Sequence, residues 1–351
     1  MHGSARSICV LWLCLLAILA ITTTAQAAGY TVVDLGTLEE GNSILVRGLN
    51  NNGEAAGASV SGRGHRGFIV GRGRIDRLGT LPQGDHSVAR SINDAGEVVG
   101  SANGLTSIRA FRATRNGALQ ELAPLAGDNA SEAFAINTRG DAVGFSSGPA
   151  GVSAVVWRRD GTVQKLGVLP GWRASRALGI NDGGDVVGTA VVASGRKHAI
   201  RWSRGTPTDL GTLPGDDESE AFAINAAGDA VGISSGAAGT RAALWQNGRV
   251  QDLGTLAGGR ITRALGINER GDVVGTAAAG HDLHAFVWTP AAGMQDLNSL
   301  IPVSPFILME AVAVNTRGVI LAIGRDGSDD EAEHDHHAEF PVRVFLLEPL
   351  P

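Results

Sequence analysis

The chain has 351 residues, of which 50 are Gly and 12 are Pro, and hydrophobic residues make up 43%. Glycine is about twice its ordinary share, while the modest proline content excludes collagen and proline-rich disorder. The formal net charge of −6 offers no basic surface for DNA or RNA, so we expect no nucleic-acid partner. So much glycine requires many turns and favours many short strands.

The N-terminal residues 1–27 have the composition of a secretory signal. An apolar run from Ile8 to Ile21 ends shortly before a small-x-small pattern that closes at Ala27. We therefore expect a signal peptide and a periplasmic or extracellular mature chain. Both cysteines, Cys9 and Cys14, lie in this segment, so the mature chain cannot form a disulfide. No later segment is apolar enough to predict a membrane span.

An Asn-x-x-Gly unit recurs seven times along the rest of the chain. Its asparagines are Asn50, Asn93, Asn137, Asn181, Asn225, Asn268 and Asn315. A unit similar to Leu-Gly-Thr-Leu recurs in the same frame, beginning at Leu35, Leu78, Leu122, Leu166, Leu210, Leu253 and Leu297. A period of 43 to 47 residues is typical of one propeller blade, whereas an open β-solenoid repeats over shorter periods.

One repeat, residues 175–213, shows four apolar runs separated by turn residues: SRALGIN, DVVGTAVV, HAIRW and TDLGTL. The apolar residues tend to alternate, which predicts strands. Residues 31–38 match a fourth strand without its first three, and residues 341–347 match a third strand without its fourth. We therefore predict an all-β chain in which residues 28–351 form a single seven-bladed β-propeller of four-stranded blades. The N-terminal strand closes the ring by pairing with the C-terminal blade.

Tryptophans occupy one position of the repeat, at Trp157, Trp202, Trp245 and Trp288, and we assign Phe345 to the same position in the last blade. A ring of aromatic residues that binds sugars is one interpretation. Packing between blades is the interpretation that the common register favours. Trp172 lies outside this register, in a loop, and is a candidate contact residue for a ligand.

Charges of alternating sign stand five residues before the repeat Asn, at what we call the entry position: Glu132, Arg176, Glu220, Arg263 and Glu310. In a propeller this position begins the innermost strand, near the mouth of the central channel. Salt bridges between neighbouring blades are one interpretation. A polar binding site across the channel mouth is the other. Paired carboxylates there would permit acid–base chemistry, but adjacent arginines keep carboxylates ionised.

The last repeat contains an insertion, residues 325–340, with seven acidic residues and three histidines. We expect it to lengthen the loop between the second and third strands, on the face that carries the channel mouth. A solvated charged loop is one interpretation. A divalent metal site is the other, with the ligands His334, Asp335, His336 and His337. No cofactor is otherwise required by the sequence.

The repeats resemble a known family. The segments SRALGINDGGDVVG (175–188), DLGTL (252–256) and HAFVW (284–288) are similar to the bacterial extracellular repeat family named for its His-Ala-Phe triplet, the HAF repeat. The literal triplet occurs once, and the first repeat has RGFIV instead. The resemblance covers nearly all of the mature chain. It implies a secreted repeat protein and no particular activity.

Three functions follow from these patterns. The preferred one is a secreted, non-enzymatic binding or scaffold module, expected to be a monomer, that recognises an extracellular or envelope glycan, peptide or protein. The second is a hydrolase or lyase that acts on an extracellular polymer with the channel-mouth Glu and Arg side chains. The third is metal sequestration by residues 325–340. An enzyme is disfavoured because the dinucleotide and nucleophile-elbow patterns in the chain lack the helix that each requires.

Overall fold

A computed structural model describes residues 29–36, 43–61, 64–71, 73–104, 106–115, 117–256, 258–327 and 342–351. Over these ranges the chain forms seven antiparallel sheets of four strands each. The predicted seven-bladed β-propeller is therefore confirmed. The predicted signal peptide, residues 1–27, lies outside the described residues.

The chain begins with β1 (Tyr30–Gly36) and then completes one blade after another. Blade 1 consists of β2 Ser43–Leu49, β3 Ala55–Ser61, β4 Gly64–Gly71 and β5 Arg74–Arg77. Blade 2 consists of β6 Ser87–Ile92, β7 Glu97–Asn103, β8 Ile108–Thr114 and β9 Gln120–Leu122. Blade 3 consists of β10 Ala130–Ile136, β11 Ala142–Gly148, β12 Gly151–Trp157 and β13 Val163–Lys165.

The second half of the ring has the same layout. Blade 4 consists of β14 Arg173–Ile180, β15 Val186–Val191, β16 Lys197–Ser203 and β17 Thr206–Asp209. Blade 5 consists of β18 Asp216–Ile224, β19 Ala230–Gly236, β20 Gly239–Gln246 and β21 Arg249–Asp252. Blade 6 consists of β22 Thr262–Ile267, β23 Val273–Ala279, β24 Asp282–Thr289 and β25 Gly293–Asp296, followed by a 3-10 turn, Leu297–Ser299. Blade 7 consists of β26 Phe306–Val314, β27 Ile320–Asp326, β28 Arg343–Pro349 and, from the other end of the chain, β1.

The ring is closed by strand pairing between the two ends of the chain. Strand β1 runs antiparallel to β28, with Tyr30 opposite Pro349 and Val32 opposite Leu347. The predicted N-terminal closure is thus confirmed. The first strands of successive blades contact one another around the whole circle, including β26 with β2. They therefore line the central channel. The closure gives blade 7 its fourth strand, so that all seven blades have four strands.

The fourth strand of blade 4 is shorter than the sequence predicts. In blade 4 the run TDLGTL was expected to be one strand, but β17 ends at Asp209. Leu210 donates its N–H to Ala199 and then turns inward, and Leu213 is buried at 3% exposure. The two leucines of this unit pack between blades. The outermost strand has no further strand to pair with, so the chain can leave the sheet here and turn these side chains inward.

The core lies between neighbouring blades, in clusters that combine apolar residues of two sheets. Trp157 and Trp202 are each 1% exposed. Their indole N–H groups donate to carbonyls in the loop after the preceding blade's fourth strand, at 2.7 and 2.5 Å. Packing, and not sugar binding, is therefore the role of these tryptophans. The assignment of Phe345 to their position was wrong, because Leu347 occupies that register opposite Ile320.

The seven repeat asparagines form a closed hydrogen-bonded ring at one end of the channel. Each side-chain amide Nδ2 donates to the backbone carbonyl of the next blade's Asn, at 2.9 to 3.3 Å, and Asn315 completes the circle by donating to Asn50. Each Oδ1 accepts the backbone N–H four residues later, as Asn181 does from Asp185. The tight turn needs a positive φ, which Gly184 supplies at 88°.

The residues that follow these asparagines make a second set of contacts between blades. Acidic side chains in blades 2, 4 and 6 accept the backbone N–H of the preceding blade, at Asp94, Asp182 and Glu269. The side chain of Asn51 in blade 1 both accepts and donates. Its Oδ1 accepts the backbone N–H of Thr316 in blade 7, and its Nδ2 donates to the carboxylate of Asp94 in blade 2. The blades therefore alternate in type around this end of the ring.

Candidate functional site

Each innermost strand contains a β-bulge that aims one side chain into the channel. In β14, Ala177 pairs with Gly188 and Gly179 pairs with Val187, so Leu178 is the extra residue. The same shift occurs in all seven innermost strands. The extra residues stand three before the repeat Asn, at what we call the throat position: Arg47, Arg90, Phe134, Leu178, Phe222, Leu265 and Val312. Bulges are a common means of redirecting a side chain towards a site.

Glycines on the second strand permit the close approach that the bulge requires. A Cβ on Gly188 would lie 2.0 Å from the carbonyl oxygen of Arg176, and one on Gly275 would lie 1.8 Å from that of Arg263. Any side chain here would force the two strands apart. The second glycine of the repeat thus positions the backbone of the entry residue.

All seven throat residues line one cavity of about 340 Å³ at the centre of the ring, together with Arg263, Thr276 and Glu310. Two throat residues, Arg47 and Arg90, are cationic and belong to blades 1 and 2. The other five are apolar and belong to blades 3 to 7. The cavity is therefore amphipathic, with a charged arc and an apolar arc, and its size lies near the lower limit for small-molecule sites.

The structure places the five predicted entry residues on the innermost strands, at the same end of the ring. Two of them, Arg263 and Glu310, line the central cavity. Arg176 instead lines a smaller cavity of about 160 Å³ beside blade 4. In that smaller cavity the hydroxyl of Thr189, which is 7% exposed, has no hydrogen-bond partner.

The entry carboxylates do form ion pairs across blade boundaries, but with cations other than the entry arginines. Glu310 of blade 7 pairs with Arg47 of blade 1 at 2.6 Å. Arg90 of blade 2 donates through Nε to Glu132 of blade 3 at 2.8 Å, and Ser101 donates to the same oxygen. In the same way, Lys197 of blade 4 pairs with Glu220 of blade 5 at 3.3 Å.

Arg176 and Arg263 are left without a carboxylate. Among the described residues, neither forms an ion pair. The guanidinium of Arg176 stacks over the ring of Phe145 at 5.0 Å, as that of Arg90 does over Phe134 at 5.1 Å. Stacking uses the face of a guanidinium and leaves its N–H edge available to an acceptor.

In the described part of the mouth, cations and carboxylates are mixed, and two of the cations stand without a carboxylate partner. The throat and entry positions hold four cations, Arg47, Arg90, Arg176 and Arg263, and three carboxylates, while Glu218 adds a carboxylate on β18 beside Lys197. The carboxylates are half-buried, whereas Arg176 and Arg263 are exposed. At the entry position, the two arginines are therefore more accessible than the three carboxylates.

Sequence reasoning missed Arg47, Arg90 and Lys197. It searched for charge at the entry position alone, where blades 1 and 2 carry Leu45 and Val88. The available signal was an Arg at the throat position in these two repeats and in no other. Residues two apart on a strand face the same side, so strict alternation places the throat position beside the entry position on the channel side.

Trp172 lies on the mouth face but away from the channel. It is half-buried, and its ring meets His198 edge to face at 5.8 Å. His198 contacts Asp209 on the neighbouring strand at 3.1 Å, and His284 contacts Asp296 in the same way at 2.6 Å. The histidine at this position of blades 4 and 6 therefore couples the third strand to the fourth.

The two strands that flank the insertion have their ends on the mouth face. Strand β27 ends at Asp326 and β28 begins at Arg343, both at that end of the blade. The candidate metal ligands His334, Asp335, His336 and His337 lie outside the described residues, so the metal site stays a prediction. Within the described ranges, no three His, Cys, Asp or Glu residues cluster as metal ligands would.

Exposed apolar side chains also favour this face. Strand direction places five of them at the mouth end of the blades: Leu45, Ile108, Ile261, Leu283 and Val303. In the described part of the chain, no helix is long and apolar enough to cross a membrane.

No known family matches this sequence, and no curated protein matches it. Solved structures do. A streptogramin B lyase is similar with a TM-score of 0.58 and 11% identity, over 92% of this chain and 98% of that one. The propeller domain of the Trilobed protease from Pyrococcus furiosus has a TM-score of 0.57 and 8% identity, over 88% and 98%. A puromycin-hydrolyzing peptidase of Mycobacterium tuberculosis has a TM-score of 0.58 and 13% identity, over 88% of this chain but 52% of its own. These likenesses show the fold alone.

Proposed function

We propose that this chain is a secreted, non-enzymatic binding module of the HAF-repeat type, which holds an extracellular or envelope partner at the channel mouth. The observation that carries the proposal is the central cavity, to which every blade contributes one bulge residue. Two of the seven bulge residues, Arg47 and Arg90, also pair with carboxylates of neighbouring blades. All seven bulges aim a side chain at the same cavity.

The chemistry of the mouth supports binding over turnover. Each entry carboxylate is held by a cation of an adjacent blade, so its oxygens are engaged in contacts between blades. The cavity contains apolar and guanidinium groups that suit recognition. The partner remains one of three classes, a glycan, a peptide or a protein.

The test uses the mature chain on arrays of envelope glycans and of peptides. A mouth variant changes Glu132, Arg176, Glu220 and Arg263 to Ala, which leaves the net charge unaltered. A control variant changes the exposed rim residues Asp160 and Lys165 to Ala, also without a change in net charge. We expect the control to retain the captured ligand and the mouth variant to lose it.

Two outcomes would overturn the proposal. One is ligand capture that survives unchanged in the mouth variant. The other is reproducible turnover of an extracellular polymer that disappears in the mouth variant, which would establish the hydrolase or lyase alternative.

A further inference from the structure

We infer that the ligand of the channel mouth carries a carboxylate joined to a compact apolar group, an inference that rests on the proposed binding function. The observations behind it are the guanidinium of Arg263, which has no carboxylate partner among the described residues, and the division of the throat into a polar and an apolar arc.

The charge argument concerns Arg263. Its neighbour in the ring, Glu310, is engaged by Arg47 at 2.6 Å. The other neighbouring acid, Glu220, is engaged by Lys197. Arg263 therefore stands between two carboxylates that are already paired, exposed and lining the cavity. A free guanidinium edge in such a place is a bidentate receptor for a carboxylate.

The apolar argument concerns the wall beside that guanidinium. Phe222, Leu265 and Val312 come from blades 5, 6 and 7 and line the same cavity. Leu265 lies two residues after Arg263 on β22. A carboxylate on Arg263 would hold its attached group against this wall. A purely ionic ligand would leave the wall in contact with water, and a purely apolar one would leave the guanidinium unmatched.

Cavity size limits the apolar group. A volume of about 340 Å³ suits a single aromatic or branched aliphatic group better than a long chain. Two sources share this chemistry. One is a small acid such as an N-acylated apolar amino acid, and the other is the C-terminal residue of a peptide that ends in an apolar side chain.

The test is calorimetric titration of the mature chain with N-acetyl-L-phenylalanine, its C-terminal amide, and acetate. We expect the acid to bind about tenfold or more tightly than either the amide or acetate. A hexapeptide that ends in phenylalanine separates the sources, because tighter binding than the acid identifies a peptide and equal binding identifies a small acid.

Arg263→Gln should weaken binding of the acid about 10- to 100-fold and leave binding of the amide unchanged. The matched control is Arg270→Gln, in the same blade but at the Asn-ring end, where Arg270 pairs with Asp272. The control should bind as the parent does. Equal thermal unfolding midpoints of the parent and the Arg263 variant exclude misfolding as the cause.

The failures are distinguishable. Equal binding of acid and amide, lost in Phe222→Ala, overturns the carboxylate and leaves a binding site in the throat. Unchanged acid affinity in Arg263→Gln overturns the role of Arg263. If no probe binds while the arrays still show a ligand that the mouth variant loses, the inference fails and the proposed function stands. If neither the probes nor the arrays show binding, both fail.

Discussion

Removing one amide from the Asn ring tests whether the ring stabilises the fold. Asn181 is 6% exposed. Its Nδ2 donates to the carbonyl of Asn225 at 2.9 Å, and its Oδ1 accepts the N–H of Asp185, also at 2.9 Å. In Asn181→Ala, the N–H of Asp185 loses its acceptor. The carbonyl of Asn225 loses one of two donors and keeps the N–H of Gly228.

These losses set the expected magnitude. A buried N–H without an acceptor costs about 1–3 kcal/mol, and a carbonyl that keeps one donor costs about 1 kcal/mol or less. Asn181→Ala should therefore lower the free energy of unfolding by roughly 2–4 kcal/mol. Asn181→Asp keeps the acceptor but turns a carboxylate towards the carbonyl of Asn225. It should be at least as costly at neutral pH and partly recover in acid, because a protonated carboxyl can donate again.

The assay is equilibrium unfolding in urea, followed by tryptophan fluorescence. The control is Gln120→Ala, which removes an exposed amide from the outer strand β9 and should change the free energy of unfolding by less than about 0.5 kcal/mol. A cost for Asn181→Ala no greater than that of the control would refute the stabilising role of the ring. So would an Asp variant whose stability did not respond to acid.

Two further predictions concern a buried ion pair and the closing strand. Asp216 is 1% exposed and pairs with Arg241, whereas the second partner, Asp252, is 36% exposed. Asp216→Asn should lower the free energy of unfolding by about 3 kcal/mol in urea titrations and Asp252→Asn by less than about 1 kcal/mol; equal costs would contradict this. Burial raises the pKa of Tyr30, the sole tyrosine, above its usual 10.0. The stability it contributes should be complete below about pH 10 and fall as pH rises through the folded pKa. Ultraviolet difference absorbance follows that titration, and an identical alkaline loss of stability in Tyr30→Phe would contradict it.

The architecture could be predicted from the sequence because each blade repeats the same local instructions. The Asn of the turn, its glycine and the buried leucines recur in one frame, so seven weak signals add to one strong signal. Closure followed from the leftover strands at the two ends of the chain. The extent of the fourth strand did not follow, because LGTL has a strand-like composition but its leucines turn inward between blades.

The site was only partly predictable. Alternation of Glu and Arg marked the entry position correctly as the start of the innermost strand. It did not show which cation each carboxylate pairs with. Glu310 and Glu132 pair with arginines at the throat position of neighbouring blades. Partner choice depends on how neighbouring blades are set against one another, and a pattern within single repeats does not contain that geometry.

The odd number of blades has a consequence at the Asn-ring end of the molecule. There, a donor blade, which offers a backbone N–H, is followed by an acceptor blade, which offers an acidic side chain. Such pairs fit a ring with an even number of blades, but this ring has seven. Two donor blades must therefore meet somewhere, and they meet where blade 7 adjoins blade 1. Asn51 resolves the conflict, since its side-chain oxygen accepts the N–H of Thr316 while its own backbone N–H donates to Asp94. Gain or loss of a blade pair would preserve the need for one such residue, whereas gain or loss of a single blade would abolish it.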